Sequence, residues 1–564
     1  MVRTFHTHHI RKQTELTGIL WDFKPLSGEH KDEIYPIATP CCWESHPDFS
    51  SYRGEGEYTT KFYAEGNIHL EFKGVSHTAT VTLDGIEIAR HYNAYTIFDA
   101  LVKNLEKGEH ILTIKADNRF SEASALHIPN DYMSYGGVSR PVILEQLKDI
   151  YIERFHILPH KNADDVWEAS FEISLHNLVA TSNTVDLRID ICEKNALQTV
   201  VASKNIPSIT LQANERLTLS SIVKCPTAKE WSWESPNLYF AKITVMHNEM
   251  AIDDLIDQFG FREIAIQGKD ILMNGKPIRI KGVCRHEDHP QYGCAIPYHA
   301  MAYDLNLIHD LGANSIRTVH YPNDELFLDL CDEMGILVWE ENHARGLSEE
   351  DMKNPNFEPQ AENVIREMIR DHYNHPSIYI WGILNECASE TEYGKSCYAK
   401  QFHIIHELDP SRPASFASCK FKTDICLDLP DVVSYNIYPQ WYLNTPVDEY
   451  FEDLYNWIQT ETDGSGKPFL ITEIGAGGLY GYHNPEHSRW TEEYQAQALE
   501  KQITAILENS NCIGLYIWQF CDVRVSEEWF QNRPRTMNNK GIVDEFRRKK
   551  MCYEIVKHLY HTLE

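Results

Sequence analysis

The chain has 564 residues, which at about 150 per unit suggests three or four domains, or three if one is an α/β barrel of about 250. Lys and Arg total 52 against 83 Asp and Glu, so the net charge is −31, which disfavours nucleic acid and acidic membrane surfaces as partners. Hydrophobic residues make up 42% and aromatics 11%, enough for sizeable cores and outside the range of disordered chains.

The opening stretch, MVRTFHTHHIRKQTELTG, has no apolar segment of the signal-peptide kind, and no apolar run approaches the ~18 residues of a membrane span. A soluble, cytoplasmic protein is expected. His6, His8 and His9 read as a mobile polar tail. The 14 Cys include the adjacent Cys41 and Cys42 and the apolar-run Cys331 and Cys521, with no CxxC spacing. They read as reduced, buried thiols, and no metal or other cofactor is called for.

Residues 1–148 alternate with period two. Ala79, Val81 and Leu83 face one side and Thr80 and Thr82 the other, and Asp84-Gly85 supplies the φ > 0 residues of a tight hairpin. With the short strands EYTTKFYA, IHLEFKG and HILTIKAD, this predicts a β-sandwich of jelly-roll type. Residues 149–262 carry ASFEISLHN, TVDLRIDIC and KITVMHN, which predict a smaller, immunoglobulin-like β-sandwich.

From 263 to 564 the pattern changes. After the hairpin ILMNGKPIRI, apolar strands alternate with amphipathic helices. One helix follows Asn323 or Asp324 as cap, repeats Leu326, Leu330 and Met334 at i, i+4 and i+8, and ends at Gly335. The candidate strands IRIKGVC, NSIRTVH, LVWEEN, IYIWGILNE, ASFAS, VVSYNIY, PFLITEIG and IGLYIWQF predict a C-terminal (β/α)8 TIM barrel.

Catalytic groups of such barrels sit at the C-terminal ends of the strands. Here those ends carry Arg285 to Asp288, His320, Glu340 to His343, Asn385, Glu386, Asn436, Tyr438, Glu473 and Trp518. Glu386 and Glu473 each close a strongly apolar run, on the fourth and seventh strands, and so face each other across the barrel mouth. Two carboxylates about 5 to 5.5 Å apart are the equipment of a retaining glycosidase, one protonating the leaving oxygen and one attacking the anomeric carbon. The alternative is that each Glu pairs with a barrel Arg such as Arg285 or Arg317, which explains one such Glu better than two.

At these residues the chain resembles glycoside hydrolase family 2, the family of β-galactosidases and β-glucuronidases. The resemblance spans sandwich, immunoglobulin-like domain and barrel, and rests on KGVCRHEDHP (281–290), NSIRTVHYP (314–322), WGILNE (381–386) and ITEIG (471–475). It implies Glu386 as acid/base, Asn385 as ligand of the sugar 2-hydroxyl and Glu473 as nucleophile. MNNKGI (537–542) resembles the Asn-x-Lys-Gly element of β-glucuronidases, which implies that Asn538 and Lys540 grip a sugar carboxylate. A Lys beside an amide donor can hold a carboxylate by a charge-assisted hydrogen bond, and a −31 chain needs such local positive charge. The neighbouring run from Arg547 to Lys550 reads as a solvated basic loop.

The resemblance further implies Asp131 in the sugar pocket, Tyr438 and Tyr442 near nucleophile and carboxylate, Trp518 as pocket floor, and His286 and His320 on the sugar side. It departs at Arg345, where glucuronidases usually carry an apolar residue. A guanidinium at the rim can select an axial 4-hydroxyl, which brings in β-galacturonidase or a hybrid uronidase; otherwise Arg345 braces the loop through Glu340, Glu341 or Glu349. The short segment GLSEEDMKNPNFEPQ implies an open aglycone side.

The expected activity is retaining hydrolysis of terminal β-D-uronides, of the β-glucuronidase type, on a small glycoside or oligosaccharide. The alternatives are β-galacturonidase, then a neutral-sugar β-galactosidase, which Asn538 and Lys540 oppose, and last a carbohydrate-binding protein without activity. A homo-oligomer is expected.

Overall fold

The computed structural model describes residues 3, 7–194 and 196–563. In the first sandwich, Ala79, Val81 and Leu83 are buried, and Asp84 (φ 50°) and Gly85 (φ 80°) turn Thr78–Leu83 into Ile86–Tyr92. The short strands EYTTKFYA and IHLEFKG are in fact one strand, Glu55–Phe72, paired along its length with Phe98–Asp117, which also absorbs HILTIKAD. Gly66, at φ 77°, lies where the register shifts, so a bulge bends the strand where the sequence suggests a break. These strands belong to an eight-stranded sheet, accompanied by a three-stranded sheet. Trp21, Phe23, Trp43, Tyr58 and Phe72 pack in the core.

The second sandwich joins a three-stranded and a four-stranded antiparallel sheet. Alternation along Asn183–Glu193 puts Val185, Leu187, Ile189 and Ile191 in the core between them.

The N-terminal arm is not a loose tail over its described residues. His8 contacts the Asp254 carbonyl at 2.6 Å and the Glu145 carboxylate at 2.8 Å. Arg11 bonds Glu145 and Asp253 at 2.8 Å each, and the His9 and Ile10 amides donate to Asp254. The cause is that Asp253 and Asp254 are buried and need partners. His6 lies outside the described residues.

The barrel strands are β1 (Ile280–Arg285), β2 (Ser315–Thr318), β3 (Leu337–Glu341), β4 (Ile378–Asn385), β5 (Ala414–Ala417), β6 (Val433–Asn436), β7 (Phe469–Ile474) and β8 (Gly514–Ile517). Their pairing order is β5-β4-β3-β2-β1-β8-β7-β6, and a parallel bridge between Ser418 and Tyr435 closes the ring. Helices cover the crossovers except β5 to β6, where the described residues show only a 3-10 turn at Phe421–Thr423. Helix Glu325–Met334 is capped by Asp324, whose carboxylate accepts from the Leu326 amide, and stopped by Gly335 at φ 69°. A small sheet at 264–277 places Ile271 and Met273 in the cluster that fills the barrel with Trp339, Ile380 and Tyr516.

The first sandwich is bolted onto the barrel mouth. Tyr135 donates to Asp288 at 2.7 Å and Arg140 to Glu287 at 2.7 Å. Asn130 and Ser526 exchange main-chain and hydroxyl hydrogen bonds. These contacts fix where the loop carrying Asp131 meets the strand ends. No described helix is long and apolar enough to cross a membrane. All 14 cysteines are free, buried apart from half-buried Cys41 and exposed Cys419.

Candidate active site

Glu473 ends β7 and is buried. Its Oε1 accepts from Arg317 at 3.0 Å and its Oε2 from the Tyr438 hydroxyl at 2.5 Å. Burial and the neighbouring Glu386 charge push its carboxyl up to about 8, against the pull of Arg317 and the Tyr438 hydroxyl. Glu386 follows β4 at φ 55°, a left-handed backbone that a non-glycine residue adopts only when its surroundings impose it. Here its amide bonds the Ala417 carbonyl at 2.9 Å, and Asn385 before it is held by the carbonyl of Ala344 and the amide of Gly346. The Glu386 carboxylate accepts from Asn436 at 2.9 Å and lies 3.6 Å from Arg345.

Arg317 organises the floor. It bonds both oxygens of Glu341, at 2.9 and 3.1 Å, and reaches Asn385 Oδ1 at 2.8 Å as well as Glu473. Asn385 Oδ1 also accepts from Asn436, so its amide is turned with Nδ2 free. His320 Nδ1 sits 2.7 Å from Glu341, and burial holds this imidazole well below its usual range. A neutral His320 therefore donates through Nδ1 and keeps a bare acceptor at Nε2. His286 is likewise held low by burial, contacts the Tyr321 hydroxyl at 3.1 Å, and stacks on Tyr132. Trp518 stacks on His320 at 5.1 Å and meets His286 edge-on at 5.4 Å.

The far wall comes from three loops. Asp131 accepts from Asn538 at 3.1 Å and from Arg533 at 3.3 Å, and lies 3.4 Å from Arg345. Burial pushes the Asp131 carboxyl up, but Arg345, Lys540 and Arg533 together hold it well below the usual carboxylate range. Arg345 does not pair with Glu340, Glu341 or Glu349. Its partners are Asn130 at 2.8 Å, Asp131 and Glu386, because Glu340 is taken by His372, Glu341 by Arg317 and Glu349 by Lys353. Lys540 is buried with its ammonium facing the rings of Tyr438, Trp441 and Tyr442, and Tyr442 stands at the rim, 60% exposed.

All twelve sequence-named residues thus lie in one connected network at the barrel mouth. Arg317, which the sequence offers only as a structural partner of a Glu, and Asn436, which it offers only as a strand end, belong to the same network, as do Arg533 and Trp441, which it does not single out. Arg317 and Asn436 lie at strand ends, as the named residues do, and Arg533 opens the basic tract around Asn538. One reading is corrected: Arg547 and Lys550 are no solvated loop. Arg547 is buried on Asp304 at 2.8 Å and Lys550 on Asp522 at 2.7 Å, because those carboxylates are themselves buried and need cations. Only Arg548 and Lys549 of that run are open to solvent.

Asn385 Nδ2, His286 Nε2, His320 Nε2 and Asn538 Oδ1 are buried without a hydrogen-bond partner among the described residues. Buried polar atoms are normally satisfied, so these four, on residues of the network around the two carboxylates, are left to bond a polyhydroxylated ligand. Elsewhere Asp329, Asp332 and His375 approach closely enough to hold a cation. Arg3 bonds both Asp329 oxygens and His375, Gln258 and the Ser377 amide occupy Asp332, which leaves that cluster already satisfied.

Two carboxylates across a barrel mouth, amid unsatisfied sugar-type donors and acceptors, define a glycoside hydrolase. Family models agree over nearly the whole chain: the TIM barrel domain of glycosyl hydrolases family 2 matches residues 264–564, a second family 2 model matches 150–262, and a glycosyl hydrolase 2 galactose-binding domain-like model matches 42–143. A β-galacturonidase from Eisenbergiella tayi, solved with galacturonate, is 56% identical with a TM-score of 0.96, covering 100% of both chains. A β-glucuronidase from Streptococcus agalactiae serotype V is 28% identical over 96% of each chain. A β-D-glucuronidase structure from Dictyoglomus thermophilum shares the fold at 23% identity, with a TM-score of 0.87 over 99% of this chain and 98% of that one. The chain belongs to glycosyl hydrolases family 2 and is a carbohydrate-cleaving hydrolase.

Proposed function

We propose that the chain is a retaining β-uronidase that removes terminal β-D-galacturonic acid. Glu386 is the acid/base and Glu473 the nucleophile. Asn385 Nδ2 takes the sugar 2-hydroxyl, His286 and His320 offer acceptors on the sugar side, and Trp518 forms the floor. Asn538 and Lys540 hold the carboxylate. The first step proceeds from the state in which Glu473 is ionised against Arg317 and the Tyr438 hydroxyl: Glu386 gives its proton to the glycosidic oxygen while the Glu473 carboxylate attacks the anomeric carbon. In the second, Glu386 takes a proton from water, and that water displaces Glu473 with net retention.

The observation that carries the galacturonide reading is Arg345, held against Asp131 and Glu386 with its Nε unpartnered and buried. Arg offers directed donors and no acceptor, so it penalises the epimer that leaves a hydrogen bond unmade. The 56% identity to the Eisenbergiella tayi β-galacturonidase supports the same reading. β-Glucuronidase is the second reading, supported by the full-length similarity to the Streptococcus agalactiae enzyme. A neutral β-galactosidase is opposed by Lys540, an ammonium with no ion pair among the described residues.

The test is kcat/KM on p-nitrophenyl β-galacturonide and β-glucuronide, in wild type and Arg345→Ala. Wild type should prefer galacturonide, and the variant should shift the ratio toward glucuronide by roughly tenfold, the size of a hydrogen bond involving a charged group. An unchanged ratio returns β-glucuronidase to first place. Domain divisions at 148/149 and 262/263, cytoplasmic residence and a homo-oligomeric state belong to the same proposal. The free thiols support the compartment.

A further inference from the structure

Lys540 is 5% exposed, yet its ammonium makes no hydrogen bond or ion pair among the described residues. A charge drawn largely out of water without a partner is costly. Three rings stand where a counter-ion would. Nζ lies 5.4 Å from the ring centroid of Tyr442, 5.9 Å from that of Tyr438 and 6.0 Å from that of Trp441. Ring faces attract a cation through their quadrupole but, unlike a carboxylate, do not cancel its charge. Asp131 lies within the field of Lys540 but forms no ion pair with it: its Oδ2 accepts from Asn538 and Arg533, and its Oδ1, without a hydrogen-bond partner among the described residues, faces Arg345 at 3.4 Å.

Trp441 has its ring orientation set from behind. It is 5% exposed, meets Trp490 edge-on at 5.0 Å, and packs with Ala476 and Ala498. A side chain at Gly477 would collide with both indoles, which keeps the two rings close against the chain leaving β7.

We infer that Trp441 is a specificity-determining positioning residue. With Tyr438 and Tyr442 it forms an aromatic cage that keeps Lys540 buried, oriented and out of ion-pairing contact with any described carboxylate. The inference rests on the uronidase reading and deepens it. A uronide carboxylate meets an uncancelled ammonium and gains a full ion pair. A neutral sugar leaves that ammonium unsatisfied, so the cage turns Lys540 into a discriminator rather than a general sugar ligand.

The experiment uses the full chain with Trp441→Leu, Trp441→Phe and Lys540→Met, singly and with Trp441→Leu and Lys540→Met combined. Readouts are KM and kcat on p-nitrophenyl β-galacturonide and inhibition constants for free galacturonate and galactose. Losing one ring face should raise the uronide KM and the galacturonate inhibition constant about three- to tenfold, with kcat within about twofold and galactose inhibition unchanged. Trp441→Phe should recover most of the loss, and Trp441→Leu should add nothing once Lys540 is Met. Equal weakening of galacturonate and galactose, or an undiminished Trp441 effect in the Lys540→Met background, overturns the cage. If Trp441→Leu fails to fold, Tyr442→Leu at its exposed position takes its place in the same comparison. A Lys540→Met variant with normal uronide KM would instead overturn the uronidase reading itself.

Discussion

Glu473 and Glu386 end similar apolar strands, but their surroundings differ. Glu473 is buried and bonded to Arg317 and Tyr438, while Glu386 is partly open and held by Asn436 and Arg345. Replacing either by Ala should abolish turnover and leave the fold intact. Azide should rescue Glu473→Ala with inverted product, because a small anion enters the emptied position of the proposed nucleophile. Near-normal activity of either variant would refute the pair.

The raised Glu473 carboxyl also has a thermodynamic consequence. Its pKa rises from 4.5 to about 8 in the folded state, so the proton stabilises the fold. That contribution is full below about pH 4.5 and is lost as the pH climbs toward 8. Glu473→Gln cannot ionise and escapes the loss. Its Tm relative to wild type should therefore rise from pH 5 to pH 9; a constant difference across that range would show that Glu473 ionises normally.

At the scale of elements, the barrel is shaped by stops as much as by strands. Gly335 ends helix Glu325–Met334 at φ 69°, and a Cβ there would come within 2.5 Å of the Trp233 carbonyl on the immunoglobulin-like domain. Gly335→Ala combines a left-handed backbone penalty with a clash and should cost about 1 to 3 kcal/mol. Thermal or urea unfolding measures it, and a loss below about 0.5 kcal/mol would mean that the turn relaxes freely. The Gly66 bulge works the other way, keeping a strand continuous where alternation falters.

Over the whole molecule, the three domains are tied by buried charge rather than by apolar seams alone. Arg11 joins Glu145 of the first sandwich to Asp253 of the second, and Arg3 joins Asp257 to Asp329 of the barrel. Arg11→Ala takes the guanidinium from two buried carboxylates, leaving Glu145 to His8 and His69 and Asp253 to the Ile152 amide, which should cost about 3 to 5 kcal/mol. Calorimetry should show a lowered unfolding transition, with KM on the cleaved glycoside little changed at temperatures where the chain stays folded. A stability loss under about 1 kcal/mol would mean that His8 and the arm's amides suffice.

The sequence by itself determined the architecture and most of the pocket. Period-two alternation, turn glycines and apolar strand ends are local signals, and Glu386, Glu473, Asn385, Asn538 and Lys540 lie in short motifs beside them. The capped helix after Asp324 was equally legible. Only tertiary structure decided the partners of Arg345, because burial had already committed Glu340 and Glu341 to His372 and Arg317. It alone brought Arg533 onto Asp131, some 400 positions away in the chain. It turned Arg547 and Lys550 inward and drew His8 and Arg11 against Asp253, Asp254 and Glu145, where a sequence shows only basic and polar runs. Charge pairing of this kind depends on which groups have lost their water, and that is a property of the packed molecule rather than of neighbours along the chain.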